Sequence, residues 1–144
     1  MIDAPSKVDP RAPRFGQFLT ATLMVVGVAL VEPMFVYLVA GILTLAAVTG
    51  WRLDIYGLIW RGLAGRVIAP TTERESASPH RFAKLLGMTA SLVASGLLLG
   101  GFTVAGMGVA LAVAIVAGLS AVSGICIGCR MYRQVAFFRR INVV

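Results

Sequence analysis

Residues 85–129 read LLGMTASLVASGLLLGGFTVAGMGVALAVAIVAGLSAVSGICIGC, and no side chain in that run carries a charge. A helix rises about 1.5 Å per residue and crosses a hydrocarbon core of about 30 Å in roughly 20 residues, so the run is too long for one span and suits two. The turn between them is expected within Gly100-Gly101-Phe102-Thr103-Val104-Ala105-Gly106-Met107-Gly108, the densest glycine cluster in the chain. The spans then fall near Phe82–Gly100 and Ala105–Ile127. Upstream, residues 15–51 repeat the pattern with Glu32 as their only charge. Pro33 removes a backbone donor and biases the residue before it away from helix, which puts a break at Val31-Glu32-Pro33 between spans near Phe15–Leu30 and Met34–Gly50.

The rest of the composition agrees. Of 144 residues, 58% are hydrophobic and 13% charged, and the mean hydropathy is +0.89. Soluble chains average about 25% charged residues, so most of this surface is expected to face lipid. The fold class read from the sequence is an all-α membrane protein with four transmembrane helices in two hairpins and an interfacial amphipathic helix between helices two and three. It divides into a leader (1–13), a first hairpin (15–50), an interfacial helix and loop (51–81), a second hairpin (82–128) and a tail (129–144). A cleaved signal peptide describes the first apolar segment poorly, because a second span follows it instead of a soluble domain.

Every Lys and Arg lies in the leader, the middle connection or the tail, and the hairpin tips have none. The positive-inside rule then makes both termini and the Trp51–Arg81 connection cytoplasmic in a multi-pass membrane protein. Anionic inner-leaflet lipids account for the net charge of +7, so nucleic acid is not expected as a partner. Within the connection, Trp51–Ile68 mixes aliphatic residues with Arg52, Asp54, Arg61 and Arg66. It is expected to lie on the membrane surface, with Trp51, Tyr56 and Trp60 at headgroup level. Pro70–Pro79 reads as a polar loop. Pro13-Arg14-Phe15-Gly16 and His80-Arg81-Phe82-Ala83 open the two hairpins alike. Either the hairpins are a parallel duplication, or Arg-Phe simply anchors two helix starts at the interface.

Chemistry is confined to few residues. Cys126 and Cys129, the only cysteines, form a C-x-x-C at the expected end of helix four. In a reducing compartment that spacing suits redox or sulfur transfer better than a structural staple. A helix C-terminus disfavours thiolate, and Arg130 and Arg133 are the candidate stabilisers. If helix four ends before Cys126, that objection weakens. Plain packing of small apolar side chains is the other reading, and a metal site would need ligands from a partner chain, because His80 is the only histidine. No metal site and no cofactor are assigned to this chain alone. Gly106, Ala110, Ala114, Gly118, Ser120, Gly124 and Gly128 place small residues along helix four, where they let backbones approach, within the bundle or in a homo-oligomer. Glu32 reads as a solvated turn residue and His80 as a surface residue. The absence of a buried carboxylate in helix one disfavours a small multidrug-type antiporter.

Three stretches resemble a bacterial membrane family, domain of unknown function 4395 (DUF4395): Val8-Asp9-Pro10-Arg11-Ala12-Pro13-Arg14-Phe15, Pro79-His80-Arg81-Phe82-Ala83 and Gly124-Ile125-Cys126-Ile127-Gly128-Cys129-Arg130-Met131-Tyr132. The resemblance covers roughly residues 8–134. It implies that Cys126 and Cys129 are the family's cysteine pair. It also implies a neighbourhood of thioredoxin-like and thiosulfate sulfurtransferase (rhodanese-like) proteins, which are common companions of the family in actinobacteria. It assigns no reaction. Two functions are therefore carried forward: a thiol redox or sulfur-relay partner acting through the cysteine pair, and an accessory or assembly subunit of a larger membrane complex. Neither describes a stand-alone enzyme.

Overall fold

The computed structural model describes residues 7–8, 11–50, 52–67, 75–125 and 127–142. Six helices account for most of them: α1 (Arg11–Ala29), α2 (Pro33–Val48), α3 (Ile55–Val67), α4 (Ala77–Leu99), α5 (Thr103–Ser123) and α6 (Ile127–Asn142). A two-residue antiparallel ladder joins β1 (Lys7–Val8) to β2 (Glu75–Ser76). Two helix segments, Pro79–Leu99 and Thr103–Ser123, are long and apolar enough to cross a membrane, and α2 is a shorter apolar helix. Only 11% and 28% of the most apolar windows of those two segments are buried within the protein. Most of their apolar surface is therefore left uncovered by the rest of the chain.

Both turns fall where the sequence places a break. At the first tip, Glu32 N–H bonds Gly27 O at 2.8 Å and Val31 N–H bonds Val28 O at 3.2 Å. At the second, Phe102 N–H bonds Leu97 O at 2.9 Å and Gly101 N–H bonds Leu98 O at 3.2 Å. Each is the paired 6→1 and 5→2 closure of a Schellman motif around one left-handed residue.

Helix boundaries differ from the sequence reading in four places. Helices α1 and α4 start earlier than expected, at Arg11 and Ala77. Pro13 and Pro79 sit in their first turns, where a missing N–H has no intrahelical acceptor to lose. Helix α5 stops at Ser123, because Gly124 adopts a left-handed φ of 71° and caps it. The expected tail from residue 129 is instead mostly α6, which packs on α4.

The four long helices close a ring in the order α1–α5–α4–α2, with α3 against α1 and α6 against α4. Exchanging α1-α2-α3 for α4-α5-α6 reproduces every one of these contacts. Details match as well. Phe15 of α1 meets Trp60 of α3 with ring centroids 5.5 Å apart, and Phe82 of α4 meets Tyr132 of α6 at 5.6 Å. Thr22 bonds Phe18 O, and Thr89 bonds Leu85 O, both at 2.9 Å. Phe15/Phe82, Phe18/Leu85 and Thr22/Thr89 stand at one constant offset. The ladder pair Val8↔Glu75 has that same offset, so the approximate two-fold axis passes through it. The two halves are related as a parallel repeat, with their helices in the same sense along the axis.

The core is thin and built from small side chains. Met24, Val36, Val39, Leu43, Tyr56, Ala94, Ala110 and Ala114 are buried together. Larger apolar residues such as Val104, Val122, Val48 and Leu99 are outside, 77–89% exposed.

Candidate functional site

The α5–α6 junction positions the cysteine pair. Cys126 lies outside the described residues, and Cys129 is the third residue of α6. The expectation that Cys129 belongs to the C-terminal end of helix four is therefore corrected: it stands in the first turn of a new helix. Arg130 and Arg133, on the same helix, are exposed.

The small residues expected to form one ladder are divided by Gly124. Gly106, Ala110, Ala114 and Ser120 are buried on α5. A Cβ on Gly106 would come within 3.1 Å of Ala94 O, and one on Gly118 would sit 3.7 Å from the Ala21 methyl. Gly124 lies against the Arg14 guanidinium of α1. Gly128 belongs to α6, where an added Cβ would lie 2.7 Å from Ala83 Cβ and 2.8 Å from Ala83 Cα. These residues let α5 and α6 close on α1 and α4.

Three buried hydroxyls were invisible to sequence reasoning. Tyr56, expected at headgroup level, is 3% exposed beneath α1, because Gly16 opposite it leaves room for the ring. Thr20 Oγ1 donates to Tyr56 Oη at 3.2 Å. Burial holds the Tyr56 phenol above its ordinary value of 10.0, the Thr20 bond opposes that shift, and the Asp54 carboxylate adds to it. Ser120, also buried, makes no side-chain hydrogen bond among the described residues. The only available signal was the placement of single Thr and Ser residues within apolar helices, which ordinary helix packing also uses. Asp54, just before α3, pairs with Lys84 of α4 and ties the two halves together. Trp51 lies outside the described residues.

Thr20, Tyr56 and Ser120 line a cavity of about 380 Å³, within the range of roughly 300–1,000 Å³ usual for small-molecule sites. Its walls join the halves at equivalent positions: Gly16 with Ala83, Gln17 with Lys84, Thr20 with Gly87. Ile127, Gly128 and Met131 of α6 close one side, so the cavity borders the turn that carries Cys129. His80, expected at the surface, is half-buried and lines it too. Glu32 is exposed at the first tip and makes no side-chain cap. Among the described residues no three His, Cys, Asp or Glu side chains come together.

A family model described as domain of unknown function (DUF4395) matches residues 8–136. The chain belongs to the DUF4395 family. The match takes in both helix-opening motifs and reaches through the cysteine pair to the middle of α6, so both halves of this DUF4395 fold lie inside it. No curated protein and no solved structure matches the chain.

Proposed function

We propose that this DUF4395 protein is a multi-pass protein of the bacterial plasma membrane, with α1, α2, α4 and α5 in the bilayer and α3 and α6 on its cytoplasmic surface. In this reading Cys126 and Cys129 act as a thiol redox or sulfur-relay centre for a soluble thioredoxin-like or rhodanese-like partner. Membrane residence is supported by the two long apolar helices and by their uncovered faces. Exposed hydroxyls of Thr22 and Thr89 return their hydrogen bonds to their own helices, as polar groups in hydrocarbon must. Helix α6 adds a further argument. Its apolar Ile127, Met131, Val135, Phe138 and Ile141 are exposed on one side, and Arg133 and Arg140 lie on another, the pattern of a helix lying in a membrane interface.

The observation that carries the thiol reading is the start of α6 at Ile127. A cysteine in the first turn of a helix meets the positive end of its dipole, which favours the thiolate, and Arg130 and Arg133 add to that field.

The test is mass-tag alkylation in native membranes. A working pair takes up two tags after reduction and none after mild oxidation, with at least one thiol titrating below the ordinary cysteine value of about 8.5. Cys126→Ser and Cys129→Ser then lose the partner-dependent phenotype while inserting normally. If both thiols resist alkylation until the protein is denatured and the double Ala variant keeps full activity, the protein is an accessory or assembly subunit of a larger membrane complex.

A further inference from the structure

The cavity at the interface of the two halves is mostly apolar, and the buried hydroxyls of Thr20, Tyr56 and Ser120 are among its lining. Leu86, Val116, Ile127 and Met131 line it while remaining 39–45% exposed, so its open side lies among apolar side chains of α4, α5 and α6. A molecule reaching it by that route comes from lipid. Thr20 supplies the proton of its bond to Tyr56, which leaves the Tyr56 proton to be donated. Ser120, 3% exposed, has no side-chain partner among the described residues. A raised phenol value keeps Tyr56 protonated and donating at neutral pH. The wanted head group is therefore a hydrogen-bond acceptor. Its charge follows from the surroundings: Lys84 is matched by Asp54, and among the described residues the other titratable side chains that line the cavity are Tyr56 and His80, with no further Lys, Arg, Asp or Glu. With the one cation already neutralised, the site suits an uncharged acceptor better than an anion, whose desolvation would go uncompensated.

We propose that this cavity binds one membrane-borne quinone, its ring carbonyl accepting from the Tyr56 and Ser120 hydroxyls and its hydrophobic substituent leaving between α4 and α5. The proposal rests on the membrane reading above and is independent of the thiols.

Protein purified in detergent is titrated with decylubiquinone, and binding is followed by native mass spectrometry and tryptophan quenching. One saturable quinone per chain is expected. Tyr56→Phe and Ser120→Ala, each of which removes one proposed donor, weaken binding by about three- to tenfold each, as loss of a single hydrogen bond does. Ala90→Phe, which fills the cavity, abolishes it. Cys126→Ala with Cys129→Ala binds as the parent does. Absence of saturable binding, unchanged affinity in both hydroxyl variants, or displacement of the quinone by oleate at equal concentration overturns the proposal. Carbonate extraction of the same variants from membranes tests the membrane reading separately.

Discussion

Among the described residues, four in the left-handed region terminate helices: Val31 (φ 53°), Gly50 (64°), Gly101 (87°) and Gly124 (71°). Three are glycine, which enters that region without steric penalty, and one is a β-branched residue for which it is a genuine outlier. The left-handed conformation costs an ordinary L-residue about 1–2 kcal/mol, partly offset in the comparison because glycine has more unfolded-state entropy to lose. Val31→Gly is expected to stabilise the protein by roughly 0.5–1 kcal/mol, read as a rise of a few degrees in thermal unfolding in detergent. The reverse change at the other tip, Gly101→Val, should lower the midpoint. A fall for Val31→Gly would mean that the valine side chain earns its place by contacts outweighing its backbone. The sequence made the turns themselves legible, through Pro33 and the Gly100-Gly101 pair. It hid the strain, because nothing in Val31-Glu32-Pro33 says which residue takes the positive φ.

At the scale of elements, α6 was the least legible part. Its segment is basic and polar, and small residues continue at helical spacing through Gly124 and Gly128, so the pattern reads as one long helix followed by a tail. A positive φ at Gly124, set against the Arg14 guanidinium, ends α5. Docking of α6 then depends on Gly128, which leaves no space for a side chain over Ala83. Gly128→Val should push α6 from α4 at a cost of about 1–3 kcal/mol, detected as rapid tryptic cleavage at Arg130 and Arg133. Equal protease resistance in Gly128→Val and the parent would show that α6 is held elsewhere. By contrast α3 was expected from its mixed aliphatic and charged residues, and it forms close to the expected limits. The burial of Tyr56 was not legible, because its ring packs against Gly16, forty residues earlier in the chain.

For the whole molecule, the two halves were foreshadowed by Pro13-Arg14-Phe15-Gly16 and His80-Arg81-Phe82-Ala83. Four positions could not decide between duplication and a shared interfacial anchor. The structure adds what sequence spacing could not, namely that each half folds its third helix back onto its own first one. A parallel repeat also constrains topology, because both hairpins must enter from the same face. With the native cysteines replaced, Glu32→Cys and Phe102→Cys are expected to react with an impermeant maleimide in intact cells. A cysteine at Val144 should react only after permeabilisation. Labelling of residue 144 in intact cells would invert the orientation and remove the cytoplasmic setting of the thiol reading.

The axis through Val8 and Glu75 also bears on the direction in which anything can sit between the halves. Two identical three-helix chains arranged this way would enclose a slot whose ends are indistinguishable, so an asymmetric guest would occupy it head-first and tail-first equally. Joined in one chain, the halves are free to differ in sequence, and they do so where the slot is lined: Gln17 corresponds to Lys84, and Thr20 to Gly87. A hydroxyl at one position and none at its equivalent makes the two sides of the slot distinguishable.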